Sequence, residues 1–126
     1  MKSWTNWIKL TRKNINKILP NVKGVYIIRV LNHKSQDSDI IYVGTHKSGK
    51  TKLRGRLRGL IRGMNATSEA AAKKIHSASW RIRGYKSLGL EFSWIGCFRG
   101  QEGVEKTILI AYWISNGKLP KCNKEF

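Results

Sequence analysis

Gly24-Val25-Tyr26-Ile27-Ile28-Arg29-Val30-Leu31, a polar stretch from Asn32 to Ser38, and then Ile40-Ile41-Tyr42-Val43-Gly44 decide how this chain folds. Both apolar runs are rich in β-branched and aromatic residues and predict strands. The connection is too short for a crossover helix, so the two strands pair antiparallel. Further on, Leu90-Glu91-Phe92-Ser93-Trp94-Ile95-Gly96-Cys97-Phe98 alternates and predicts a third strand, with Phe92, Trp94 and Phe98 on one face.

Helical spacing surrounds these strands. From about Lys52, the residues Leu53, Leu57, Leu60, Ile61 and Met64 share a face. Arg54, Arg58 and Arg62 lie along one border of it, and Arg56 lies on the other beside Gly59 and Gly63. Interior glycines weaken a helix by ~1 kcal/mol each, so this stripe predicts close approach of another backbone, a neighbouring helix ahead of a nucleic-acid strand. Ser68 to Ile75 predicts another helix, capped by Thr67 or Ser68. Trp80 to Tyr85 alternates over too short a span to assign. Gly103 to Ile114 predicts a mostly buried helix, closed by Asn116-Gly117. Residues 3 to 19, with Trp4, Trp7, Ile8, Ile15, Ile18 and Leu19, predict an N-terminal helix that ends at Pro20. The expected fold is α+β: a small central antiparallel three-stranded sheet flanked by helices, with an extra N-terminal helix.

The chain has 126 residues, of which 25 are Lys or Arg and 7 Asp or Glu, for a net charge of +18. So basic a domain repels itself and calls for a polyanionic partner, nucleic acid before a membrane surface. No apolar run reaches the ~18 residues of a membrane span, and Met1 to Trp4 carry no apolar signal core, so an intracellular, cytoplasmic location is expected. Cys97 and Cys122 have no zinc-site spacing and read as buried or half-buried thiols.

No acid occurs from Ile40 through Ser68, whereas Lys47, Lys50, Lys52, Arg54, Arg56, Arg58 and Arg62 crowd that stretch and are the candidates for phosphate contact. Glu105 falls on the apolar face of its helix with Ile108, Leu109 and Tyr112. A carboxylate there needs a cation beside it, either an arginine or a bound metal. Gly44-Thr45-His46-Lys47-Ser48-Gly49-Lys50-Thr51 also fits the phosphate-loop pattern G-x-x-x-x-G-K-[ST]. A nucleotide-binding loop needs a later strand ending in Asp for magnesium, and the chain has no Asp beyond Asp39.

Gly24-Val25-Tyr26 and Tyr42-Val43-Gly44, with sixteen residues from tyrosine to tyrosine, resemble the two tripeptides that name the GIY-YIG nuclease family. Leu53-Arg54-Gly55-Arg56-Leu57 is similar to the family's arginine helix, Phe92-Ser93-Trp94-Ile95 to its third strand, Glu105 with Ile108-Leu109-Ile110 to its metal-binding helix, and Leu119-Pro120-Lys121-Cys122-Asn123 to its closing Pro-x-x-Asn. The resemblance spans residues 22 to 123 and divides the chain into a helical extension, 1–21, and a nuclease-like domain, 22–126. It implies a metal-dependent endonuclease that hydrolyses phosphodiesters of double-stranded DNA. One divalent cation, Mg²⁺ or Mn²⁺, would be held by Glu105, and Arg56 would neutralise developing charge. Tyr26 or Tyr42 would activate water with help from nearby positive charge, and Asn123 would orient groups near the phosphate. Arg29 matches a position that the family often fills with a cation; by itself it is an ordinary strand-edge arginine. The family's His or Tyr one helical turn after the arginine is Leu60 here. His46 is the candidate replacement, and otherwise a solvated loop histidine. A basic DNA- or RNA-binding protein without catalysis is the alternative, followed by a nucleotide-binding protein using Gly44–Thr51. The N-terminal helix, with Trp4 and Trp7, would cover a sheet face or join two copies in a homodimer.

Overall fold

The computed structural model describes residues 4–18, 22–31, 40–46, 52–97 and 100–124. The strands are β1 (Ile8–Lys9), β2 (Gly24–Val30), β3 (Ile40–Thr45) and β4 (Leu90–Gly96), and the helices are α1 (Arg12–Asn16), α2 (Leu53–Met64), α3 (Glu69–Ile75), α4 (Ser79–Arg83) and α5 (Gln101–Asn116). The fold is α+β, as expected, but the sheet has four strands in the order β1-β4-β2-β3, all antiparallel.

The fourth strand corrects the N-terminal reading. In place of a helix over residues 3–19, Ile8 and Lys9 pair with Phe92 and Glu91 of β4, and only Arg12–Asn16 is helical, capped by Thr11. The Thr5 hydroxyl lies 3.3 Å from the Ser93 hydroxyl, and Trp94 N–H donates to Thr5 Oγ1 at 3.1 Å. Trp7 lies under the Arg29 guanidinium at 4.3 Å. An unpaired edge of β4 was available, and its hydrogen bonds outweigh the weak helical spacing of this segment. The helical face expected to join two copies therefore does not form.

One sheet face carries Tyr26, Ile28, Tyr42 and Phe92, which pack with Ile15 of α1, Leu53, Leu57 and Leu60 of α2 and Ile82 of α4. The other carries Val25 and Val43, against Leu109 of α5. Phe92 and Trp94 share the first face, as their alternation predicts; Phe98 lies outside the described residues. Ser68 caps α3 by accepting from Ala71 N–H at 3.2 Å. Trp80 to Arg83, left unassigned by its pattern, belongs to α4. The glycine stripe of α2 does meet helices: Gly59 faces Ile75, and a Cβ on Gly63 would collide with Ser79.

Helix α5 is less buried than its composition suggests. Leu109 is its one buried residue, while Ile110, Trp113 and Ile114 are 47%, 50% and 72% exposed. A single helix laid on a single sheet face needs only one apolar stripe, supplied here by Val104, Ile108 and Leu109. It ends at Gly117, whose φ of 72° is left-handed. Cys97 and Cys122, half-buried and buried, are not joined in a disulfide, and burial pushes Cys122 up to about 11. Among the described residues no helix is long and apolar enough to cross a membrane.

Candidate functional site

β3 is one of the two edges of the sheet. The C-terminal tail covers that edge. Cys122 N–H donates to Ile41 O at 2.8 Å. The Asn123 carboxamide brackets Val43: Val43 N–H donates to Oδ1 and Nδ2 donates to Val43 O, both at 2.9 Å. Asn123 thus imitates a strand residue and blunts the edge. One bond at each end of its carboxamide is spent on backbone, while the side chain also lines the pocket described next.

Beside this tail opens a pocket of about 530 Å³ whose lining includes Tyr42, Thr45, Arg56, Glu102, Glu105 and Asn123. Tyr26 lies directly behind Tyr42, its ring centre 5.9 Å away and its side chain fully buried. The two phenols share a slot that exists because residue 44 is glycine. A Cβ there would come within 2.6 Å of Tyr26 Oη and 2.5 Å of Tyr42 Cε2.

The strongest polar contact behind the pocket involves His76, at the C-terminal end of α3, which nothing in the sequence pattern singled out. Its ring lies 2.7 Å from Tyr26 Oη through Nε2. Nδ1 accepts from the backbone N–H of Ala78 at 3.1 Å, so the proton of the neutral ring sits on Nε2 and is donated to Tyr26. The Tyr26 ring in turn lies against that of Tyr42, whose side chain lines the pocket. Burial, together with the like charges of Arg56 and Arg81, pushes His76 down to about 3. A histidine this reluctant to take a second proton stays neutral, keeps its donor toward Tyr26 and does not serve as a proton sink.

That shift has a stability consequence. In the unfolded chain His76 titrates near its ordinary 6.5, so between about pH 6.5 and 3 the unfolded state binds a proton that the folded state refuses. Stability therefore falls as pH falls through that window, by up to ~1.4 kcal/mol per pH unit. Denaturant unfolding is expected to show a loss of about 2 kcal/mol between pH 7 and pH 5, and His76→Gln, which cannot titrate, is expected to lack that increment.

The phenols run opposite to the sequence expectation. Burial raises Tyr42, and Arg56 only partly offsets it; Tyr26 is raised further. Positive charge nearby does not overcome desolvation, so both stay protonated at neutral pH. Arg56, reaching the pocket from the first turns of α2, has its Nε buried with no hydrogen-bond partner among the described residues. A buried guanidinium N–H of this kind is costly unless a ligand completes it.

Other candidates fall elsewhere. Arg29 is ion-paired to Glu91 at 2.6 Å, its strand partner, and stacks on Trp7, away from the pocket. His46 is fully buried, not solvated, and its Nε2 accepts from Gly24 N–H at 3.3 Å; it braces β2 against β3. Lys52 caps α2 outside the pocket lining, as is Arg54. Arg58 bonds Asn16 at 2.8 Å, and Arg62 is exposed beyond the pocket. Lys47 and Lys50 lie outside the described residues. Of the phosphate-loop pattern, Gly44 and Thr45 are strand residues, and Thr45 Oγ1 donates to Gly24 O at 2.6 Å.

The residues suited to a cation are Glu102 and Glu105, one helical turn apart on α5 and both lining the pocket. No group of three or more His, Cys, Asp or Glu side chains gathers among the described residues. One or two carboxylates facing an open pocket fit a hard ion that keeps most of its ligands as water and phosphate oxygen, which is the habit of Mg²⁺. Neither a family model, nor a curated protein, nor a solved structure matches the chain significantly.

Proposed function

We propose that this protein is a metal-dependent endonuclease that hydrolyses phosphodiester bonds in DNA. The observation that carries the reading is the placement of Arg56: a buried guanidinium N–H without a partner among the described residues, in a pocket shared with Tyr42 and Glu105. A tetrahedral phosphate completes such a guanidinium with charge-assisted hydrogen bonds.

Glu105, assisted by Glu102, would hold Mg²⁺ or Mn²⁺, which when bound supplies positive charge to a non-bridging phosphate oxygen. Arg56 holds the phosphate from the α2 side and neutralises charge that grows on phosphorus oxygens as the bond to water forms. Tyr42, its ring against Tyr26 and His76 behind it, places the attacking water by hydrogen bonding. A protonated phenol positions water but does not deprotonate it. Tyr26, out of reach of solvent, works through Tyr42 as a positioning residue.

The test is conversion of supercoiled plasmid to the nicked form. Nicking is expected with Mg²⁺ or Mn²⁺, to stop on chelation, and to be absent in Glu105→Ala. A wild-type protein that binds plasmid but never nicks it, across a range of salt and both metals, is a binding protein and overturns the proposal. Nicking retained in Glu105→Ala overturns the site.

A further inference from the structure

Arg56 apart, the cations that border the pocket are not those of the arginine-rich helix. Lys73 of α3, Arg81 of α4, Lys106 of α5 and Lys124 of the tail line it together with Arg56 and with the carboxylates of Glu102 and Glu105. Arg81 is held in place by two bonds, from Nε to Cys122 O at 2.9 Å and from Nη1 to Ser77 O at 3.1 Å. Lys73, joined to Glu69 at 3.1 Å, is half-exposed, and Lys106 and Lys124 are exposed. Arg58, by contrast, is turned toward Asn16, and Arg62 lies off the pocket.

Five cations around an opening of about 530 Å³ outnumber the two carboxylates there and repel one another unless further anions lie among them. One phosphodiester charge at Arg56 leaves the lining net positive. A chain of phosphates reaches the outer cations as well, because each successive phosphate carries another charge away from the central one. Resting on the reading that this pocket handles a phosphodiester, we infer that nucleic acid crosses it as one strand. The central phosphate lies against Arg56, its neighbours lie against Lys73, Arg81, Lys106 and Lys124, and Arg58 and Arg62 stay off the track.

The experiment is fluorescence anisotropy of a labelled DNA duplex bound to the full chain in chelator, repeated over a series of NaCl concentrations. Lys73→Ala, Lys106→Ala and Lys124→Ala are each expected to weaken binding several-fold and to lower the slope of log affinity against log salt by about one. Arg58→Ala and Arg62→Ala are expected to leave the slope as in wild type. An unchanged slope in the three lysine variants, or an equal fall in the two arginine variants, overturns the inference. The two readings fail separately. Absence of plasmid nicking with the lysine pattern intact removes hydrolysis and keeps the track; nicking with the arginine pattern does the reverse.

Discussion

Arg56→Ala is expected to slow plasmid nicking about 10²–10³-fold, the usual cost of deleting one preorganised donor to transition-state charge. The side chain lies at the pocket with its Nε buried and unpartnered among the described residues, so its removal leaves the fold's hydrogen bonds intact. Arg56→Lys is expected to recover little, because a lysine offers a point charge where the pocket presents a planar fork. Titration supplies an independent readout. Arg56 depresses both His76 and Tyr42, so in Arg56→Ala both are expected to titrate higher, followed by NMR for the imidazole. Glu105→Gln separates the two ends of the site. The carboxylate raises both phenols, and it repels a phosphate when no cation is bound. Nicking is expected to vanish in this variant while DNA binding in chelator is held or strengthened. A variant that loses binding and cleavage together would place Glu105 in the scaffold instead.

Gly24→Ala is expected to be the most damaging single methyl group in the chain. Gly24 begins the central strand and pairs with Gly96, and a Cβ there would collide with the Ile95 carbonyl oxygen and come within 2.9 Å of Leu53 Cδ1. The obstacle is backbone of a neighbouring strand, so it cannot be relieved by a rotamer change. A loss of at least ~3 kcal/mol is expected, or about 10 °C in melting temperature for a domain of this size. Gly44→Ala makes a useful contrast, because the obstacles there are the rings of Tyr26 and Tyr42 rather than main chain. It is expected to displace the two phenols and remove nicking with a smaller loss of stability. Calorimetry on the two variants, beside the nicking assay, distinguishes a glycine needed by the fold from one needed by the site.

The strands at the centre were legible because their residues are short-range evidence of themselves. Val25, Ile27, Ile28, Ile41 and Val43 combine β-branching with a connection that permits only an antiparallel pair; the register, Ile27 with Val43, was decided by the fold. The α2 pattern was equally direct, down to the glycines that admit α3 and α4. The N-terminal segment misled because Trp4, Trp7, Ile8 and Ile15 fall at helical spacing by accident of a strand, a turn and a short helix in succession. Its true structure depends on β4, more than eighty residues away (Ile8 with Phe92). Helix α5 was overcalled for a related reason: apolar composition gives no count of how many layers lie around a helix.

For the candidate site, Tyr26, Tyr42 and Arg56 were pointed out by the resemblance to the GIY-YIG tripeptides and arginine helix, and Glu105 also by being a carboxylate on an apolar helix face. Sequence alone could not bring in His76, because no spacing rule links the end of α3 to β2; only the packing of α3 and α4 over Gly59 and Gly63 carries that ring to Tyr26. Nor could it remove Arg29 and His46, whose partners Glu91 and Gly24 are chosen by strand register. The charge of +18 and the run of bases around α2 are properties of composition, and they carry the expectation of a polyanionic partner. Which cations face that partner is a matter of direction. A helix presents its side chains around its full circumference, and only the neighbours it packs against determine that Arg56 lines the pocket while Arg58 and Arg62 do not.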